Sequence, residues 1–201
     1  METKVELAQQ AKKALKQHFN IKNKSIKVVQ APGRVNLIGG HTDYNDGFVL
    51  PVAIDRQLVI AGVPRSDKQI QAYSLDFKSQ EAFDLRKIQF NEETQWINYL
   101  QGVVKFLQEA GYEVPGMDLA LTGNIPQGSG LSSSAALEVA TALISSVIGG
   151  FKLDRVEMAK LCQKAENEFV GVNCGIMDQF ISALGEKNQG LFIDCRSYDY
   201  Q

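Results

Sequence analysis

The chain has 201 residues, 44% hydrophobic and 22% charged, the make-up of a globular protein with a sizeable core. With 21 Lys and Arg against 23 Asp and Glu, its formal charge of −2 offers no basic field for a nucleic-acid backbone. The three cysteines, Cys162, Cys174 and Cys195, lack CxxC spacing, which argues for reduced thiols rather than a disulfide framework or zinc site.

The opening METKVELAQQAKKALKQHF is charged throughout, so it reads as neither a leader peptide nor a membrane span. Its apolar residues Val5, Leu7, Ala8, Ala11, Leu15 and Phe19 predict a helix over 3–19. β-rich pieces follow at 26–30, 34–38, 48–54 and 57–63, with shorter strand candidates at 69–75 and 81–85. QWINYLQGVVKFLQEA predicts a helix over 95–110 that stops at Gly111, and MDLALT at 117–122 reads as a buried strand. A helix is predicted from near Gly130-Leu131 to about Ile148, ended by Gly149-Gly150. Asp154 can cap the next helix, which runs to about Val170; a short helix at 176–184 and a strand at 190–195 follow. The longest apolar stretch, around 135–149, contains Glu138 and is too short to cross a bilayer. No repeat, low-complexity tract or interdomain linker stands out. The expectation is a soluble, cytoplasmic α+β chain, strand-rich in its first half, with no nucleic-acid or membrane partner. The composition does not fix an oligomeric state.

Strand, glycine-rich turn and helix N-terminus meet in TGNIPQGSGLSSSAALEVA, an arrangement suited to an anion. Gly128 and Gly130 allow close backbone approach to a phosphate, and Ser132, Ser133 and Ser134 bring hydroxyls to the first helical turn. A P-loop match fails because Ser129 stands where the lysine belongs. A nucleophile elbow fails too, since Gln127 and Ser134 occupy positions that require glycine. The competing reading is a capped helix after an ordinary turn, although capping needs only one of the three serines. Downstream, Glu166 in LCQKAENEFV reads by position as a surface helix glutamate. Asp178 is different, with Ile176, Met177, Phe180 and Ile181 around it. A carboxylate in such a setting must be paired, metal-bound, catalytic or protonated, unless it caps the helix.

Three segments together resemble the galactokinases of the GHMP small-molecule kinase superfamily, over nearly the whole chain. APGRVNLIGGHTDYNDGFVLP resembles the galactokinase signature, NIPQGSGLSSSAALEVA the superfamily's phosphate-binding motif, and GVNCGIMDQFISALG with LFIDCRS the segments around and after the catalytic aspartate. The resemblance implies MgATP-dependent phosphorylation of the C1 hydroxyl of galactose. It also implies a GHMP kinase N-terminal lobe (ribosomal protein S5 domain 2-like) over 1–201, a mixed sheet with helices on one face. Asp178 then matches the catalytic aspartate and Arg34 the arginine whose charge favours the ionised acid. His41, Thr42, Asp43 and Gly175 fall at the sugar site. Gly128, Ser129, Gly130, Leu131, Ser132, Ser133 and Ser134 match the phosphate loop, and Ser134 and Glu166 the magnesium ligands. Trp96 and Tyr99 match aromatic positions near the adenine, or else form one face of a core helix.

The resemblance has two gaps. Gly40 stands where the family signature has a glutamate that binds sugar hydroxyls. A hydrogen bond to a charged group contributes about 1.5–3 kcal/mol, so weaker sugar binding by roughly ten- to a hundredfold is expected. The family's C-terminal lobe, with a further sugar-contacting tyrosine and a third, glycine-rich motif, has no counterpart before the final DCRSYDYQ. Two readings stand at this point: a working kinase lobe, and a non-catalytic sugar- or nucleotide-binding module or inactive remnant of one.

Overall fold

The computed structural model describes residues 3–21 and 24–201. In chain order it runs α1 (Lys4–His18), β1 (Lys27–Ile38), a 3-10 turn (Asp43–Asn45), β2 (Phe48–Pro64), β3 (Gln69–Ser74) and β4 (Ser79–Asp84). Then come α2 (Gln95–Glu109), β5 (Met117–Gly123), α3 (Ser133–Gly149), α4 (Arg155–Lys164), a π-helical turn (Ala165–Val170), α5 (Met177–Leu184) and β6 (Ile193–Asp194). The sheet order is β1-β2-β5-β3-β4, with β6 paired to the start of β2. The β3–β5 pair is parallel and the others antiparallel, so the sheet is mixed.

The sheet core follows from residue pattern. Gln57 to Val63 of β2 is buried without a break, as a central strand covered on both faces requires. Leu58 and Ile60 point into the larger core with Leu100, Val103 and Leu107 of α2 and Ala136, Ala140 and Ile144 of α3. Val59, Ala61 and Val63 point the other way, onto Leu7, Ala11 and Leu15 of α1. The helical spacing of those three gives α1 a continuous apolar stripe. Thr3 and Glu6 close its N-terminus as a reciprocal capping box. The mixed sheet with helices holds as expected, and α1 adds cover on the second face.

Four elements depart from expectation. The pieces at 26–30 and 34–38 form one strand, β1, with a register shift between Pro32 and Arg34. Across that shift the single residue Gly33 stands against residues 54–56 of β2, so the extra residues of the bulge lie on β2. The pieces at 48–54 and 57–63 likewise join into β2. The expected helix to Val170 keeps α geometry only to Lys164; Ala165–Val170 widens to a π-helical turn that ends at Gly171. Such turns shift the side chains they carry, here Glu166, relative to the preceding helix face. At the end of the chain only Ile193–Asp194 keeps strand geometry, with isolated bridges at Gly190 and Tyr200.

Candidate active site

At Gly33 and Arg34, β1 lies against the glycine-serine loop. A Cβ on Gly33 would lie 2.6 Å from the Leu131 carbonyl oxygen, so only glycine permits that approach. The Arg34 amide donates to the same carbonyl at 3.2 Å, and its Nη1 donates to the Gly130 carbonyl at 2.5 Å. The guanidinium then grips Asp178 with two bonds, Nε to Oδ1 at 2.6 Å and Nη2 to Oδ2 at 2.7 Å. The Ser132 hydroxyl donates to Asp178 Oδ2 at 2.5 Å. Ser132 reaches it from a left-handed backbone, φ 60, at the N-cap of α3. Its side chain therefore serves Asp178 instead of the helix end. Of the alternatives open to Asp178, pairing is the one the structure adopts. The side chains of Arg34 and Asp178 are 15% and 22% exposed, so the pair is shielded yet reachable.

Asp43, rather than Asp178, caps α5. Its Oδ1 accepts from the backbone N–H groups of Ile176 at 2.9 Å and Met177 at 3.1 Å. A Cβ on Gly175 would fall 2.1 Å from that carboxylate, so Gly175 is what lets the loop close. Cys195 Sγ adds a contact at 3.4 Å. Burial raises the Asp43 carboxyl above the usual aspartate range, against the lowering effect of the Met177 amide. The Asp43 carboxyl in turn helps push the Cys195 thiol up to about 12, after burial itself.

The other residues of that loop are arranged differently. His41 is exposed and pairs with the Tyr44 hydroxyl. Thr42 directs its hydroxyl to the Phe48 carbonyl at 2.7 Å and the Gly39 carbonyl at 3.1 Å, closing the turn. Gly40 is exposed, with nothing within 4 Å of an added Cβ. Neither Gly128 nor Gly130 has an atom within 4 Å of an added Cβ, and both take left-handed φ. Ser129 donates to the Pro126 carbonyl at 2.6 Å.

A cleft of about 180 Å³ opens beside the loop, lined by Phe77, Trp96, Tyr99, Ser133, Ser134 and Leu137 among others. Trp96 lies nearly parallel to Phe77, with centroids 6.2 Å apart, and its indole N–H donates to Ser79 at 2.9 Å. The aromatic floor and the serine wall thus meet in one cleft. Phe77 was not singled out in the sequence because it sits in the short turn between β3 and β4, where no periodicity marks it.

Behind the serine wall lies a buried acidic cluster. Glu166 is 5% exposed, which overturns its reading as a surface glutamate. Its Oε2 accepts from Gln179 Nε2 at 2.7 Å and from Cys174 Sγ at 3.2 Å, and Ser134 also hydrogen-bonds the carboxylate. Burial raises the Glu166 carboxyl, and raises that of the fully buried Glu138 further. Gln179 also donates to Glu138 Oε2, at 3.0 Å. Gln179 and Glu138 were missed in the sequence; a polar residue at 179 within the apolar 176–184 helix was the available signal.

Ser134 and Glu166 supply one hydroxyl and one carboxylate, both hard oxygen donors. No group of three or more His, Cys, Asp and Glu among the described residues is placed to hold a metal. Mg²⁺ keeps several waters and binds through one or two protein ligands plus phosphate oxygens, so this pair fits it. No described helix is long and apolar enough to cross a membrane.

A model of the GHMP kinases N terminal domain matches residues 98–186, and one of the galactokinase galactose-binding signature matches 13–64. Lactococcus lactis galactokinase, solved in complex with galactose, is 36% identical over 97% of this chain and 50% of its own, with a TM-score of 0.90. Methanococcus jannaschii mevalonate kinase has the same fold at 21% identity, covering 89% of this chain and 56% of its own, TM-score 0.71. A D-glycero-D-manno-heptose 1-phosphate kinase from Bacteriodes thetaiotaomicron shares it at 20% identity over 88% of this chain and 58% of its own, TM-score 0.71. The chain spans about half the length of these solved relatives. With both motif regions matched in order, and a galactokinase's half superimposed along almost its full length, the chain belongs to the GHMP kinases, as an N-terminal part of the galactokinase kind.

Proposed function

We propose that the chain is the sugar- and phosphate-binding lobe of a galactokinase, which transfers the γ-phosphoryl of MgATP to the C1 hydroxyl of galactose. The observation that carries this reading is the Arg34–Asp178 pair, set between the galactose signature and the glycine-serine loop. In this reading the sugar lies against Asp43 and the loop at 39–43, with its C1 hydroxyl at Asp178. The hydroxyl oxygen attacks the γ-phosphorus, its proton passes to Asp178, and the bond to the ADP oxygen breaks. The Arg34 guanidinium orients Asp178 through its two bonds and offsets negative charge at the reacting oxygen. The adenine takes the Phe77–Trp96–Tyr99 cleft, and the phosphates lie along Gly128–Ser134. Mg²⁺ held by Ser134 and Glu166 would neutralise phosphate charge. A cytoplasmic, reducing setting goes with this reading, since all three cysteines are free thiols.

A second reading, binding without turnover, has its own observation. Leu37, Ile38, Phe48, Phe192 and Tyr200 are all exposed, and Phe48 stacks on Phe192 with centroids 5.2 Å apart. An apolar cluster of this kind marks a surface that another body covers. Incubation with MgATP and galactose, followed both by galactose 1-phosphate formation and by thermal shift, separates the readings. Product that disappears in Asp178→Asn supports an enzyme as it stands. Ligand-dependent shifts without product support a binding lobe, and silence in both assays overturns both.

A further inference from the structure

We propose that Gln179 is a positioning residue that fixes Glu166 for the divalent cation by clamping it, through one side-chain amide, to the buried Glu138. The inference rests on the kinase reading above and adds a residue to it. Gln179 and Glu138 are both 0% exposed, and three separate elements converge here: α3, the π-helical turn and α5. The amide nitrogen carries two hydrogens, one for each acidic side chain, at 2.7 Å to Glu166 and 3.0 Å to Glu138. With Cys174 Sγ also on Glu166 Oε2, that oxygen is engaged twice, and Oε1 is the oxygen that neither Gln179 nor Cys174 takes.

Stability alone does not account for this cluster. Gln179 Oε1 and Glu138 Oε1 are both buried without a hydrogen-bond partner. Unsatisfied buried polar atoms cost free energy, and apolar replacements of similar shape are often neutral or stabilising. The residue type is also specific: a glutamate at 179 would add a third acidic group, and an apolar side chain would take from Glu138 the amide that it accepts from, leaving Glu166 to Cys174 and Ser134. Only a neutral double donor suits both neighbours. Because Gln179 follows Asp178 on α5, the same helical turn holds the proposed base and the proposed metal ligand in fixed relation.

The test uses Mn²⁺ as the probe, read by electron paramagnetic resonance with AMP-PNP present, alongside galactose calorimetry and circular dichroism. Gln179→Met is expected to weaken Mn²⁺ binding about tenfold, the scale of one hydrogen bond to a charged group. Galactose affinity should stay within about twofold. Gln179→Asn keeps a buried amide but is too short to bridge, so it should show the same selective loss and serves where Gln179→Met does not fold. Glu138→Gln retains an acceptor for the amide and should leave Mn²⁺ binding within about twofold. Unchanged Mn²⁺ affinity in the folded 179 variants overturns the proposal, as does an equal fall in Mn²⁺ and galactose affinity. A parent chain that binds no Mn²⁺ with AMP-PNP overturns the kinase reading itself, and this inference with it.

Discussion

At Gly39 the backbone takes φ +99 and an added Cβ would fall 2.4 Å from the Phe48 carbonyl oxygen, whereas at Gly40 the same atom meets nothing. Adjacent glycines thus answer to different constraints: the turn demands one, and no neighbour restricts the other. Gly39→Ala is expected to cost on the order of 1–3 kcal/mol, read as a fall in Tm of about 2–4 °C per kcal/mol. Gly40→Glu should leave Tm within about 1 °C and tighten galactose binding roughly ten- to a hundredfold. Calorimetry that finds the Gly40→Glu affinity unchanged would remove the glutamate argument. Asp43 offers a sharper contrast. Asp43→Asn keeps an oxygen for the Ile176 and Met177 amides, so Tm should hold while galactose affinity falls about tenfold. Asp43→Ala strips the cap as well, at about 1–2 kcal/mol. Equal Tm losses in the two variants would contradict a capping role.

Helices were the most legible elements, because each carries a local signal. α1 shows its stripe and capping box in the sequence, and Asp154 accepts from the Val156 and Glu157 amides as its position ahead of α4 suggests. The strands were legible as apolar pieces but not as two long, bent ribbons. Pro32-Gly33 and Asp55-Arg56 look like interruptions, and only the pairing of β1 with β2 shows them to be within strands. The π-helical turn leaves no mark, since 165–170 continues the spacing of α4. Glu166 consequently looked solvent-facing. The Asp43 cap of α5 was out of reach for a simpler reason: it joins residues 133 positions apart. Local pattern reports which element forms; it does not report which distant side chain finishes it.

Across the whole molecule, two readouts test how the parts combine. The single tryptophan, Trp96, lines the aromatic cleft, so its fluorescence should change when MgATP binds and stay constant with galactose alone. A galactose response equal to that of MgATP would place the nucleotide elsewhere. The second readout is pH. Glu138 faces Glu166 and Asp178, and its charge also bears on Cys162, Cys174 and Tyr99. Its carboxyl lies well above the ordinary glutamate value of 4.5, chiefly through burial. The native state therefore holds a proton that the unfolded chain has lost, and stability falls as pH rises from about 4.5 through the raised value. Glu138→Gln removes that penalty. Its Tm advantage over the parent should be at least about 2 °C larger at pH 8 than at pH 4.5, and a constant gap would count against it. Arg34 has a consequence of another kind. One side chain holds the Gly130 carbonyl with one nitrogen and Asp178 with the other two. Any ligand that shifts the loop must pull on the arginine that steadies the carboxylate, and the reverse holds equally. Occupancy on one side should therefore alter affinity on the other, and thermodynamic linkage makes any such influence reciprocal in sign and size.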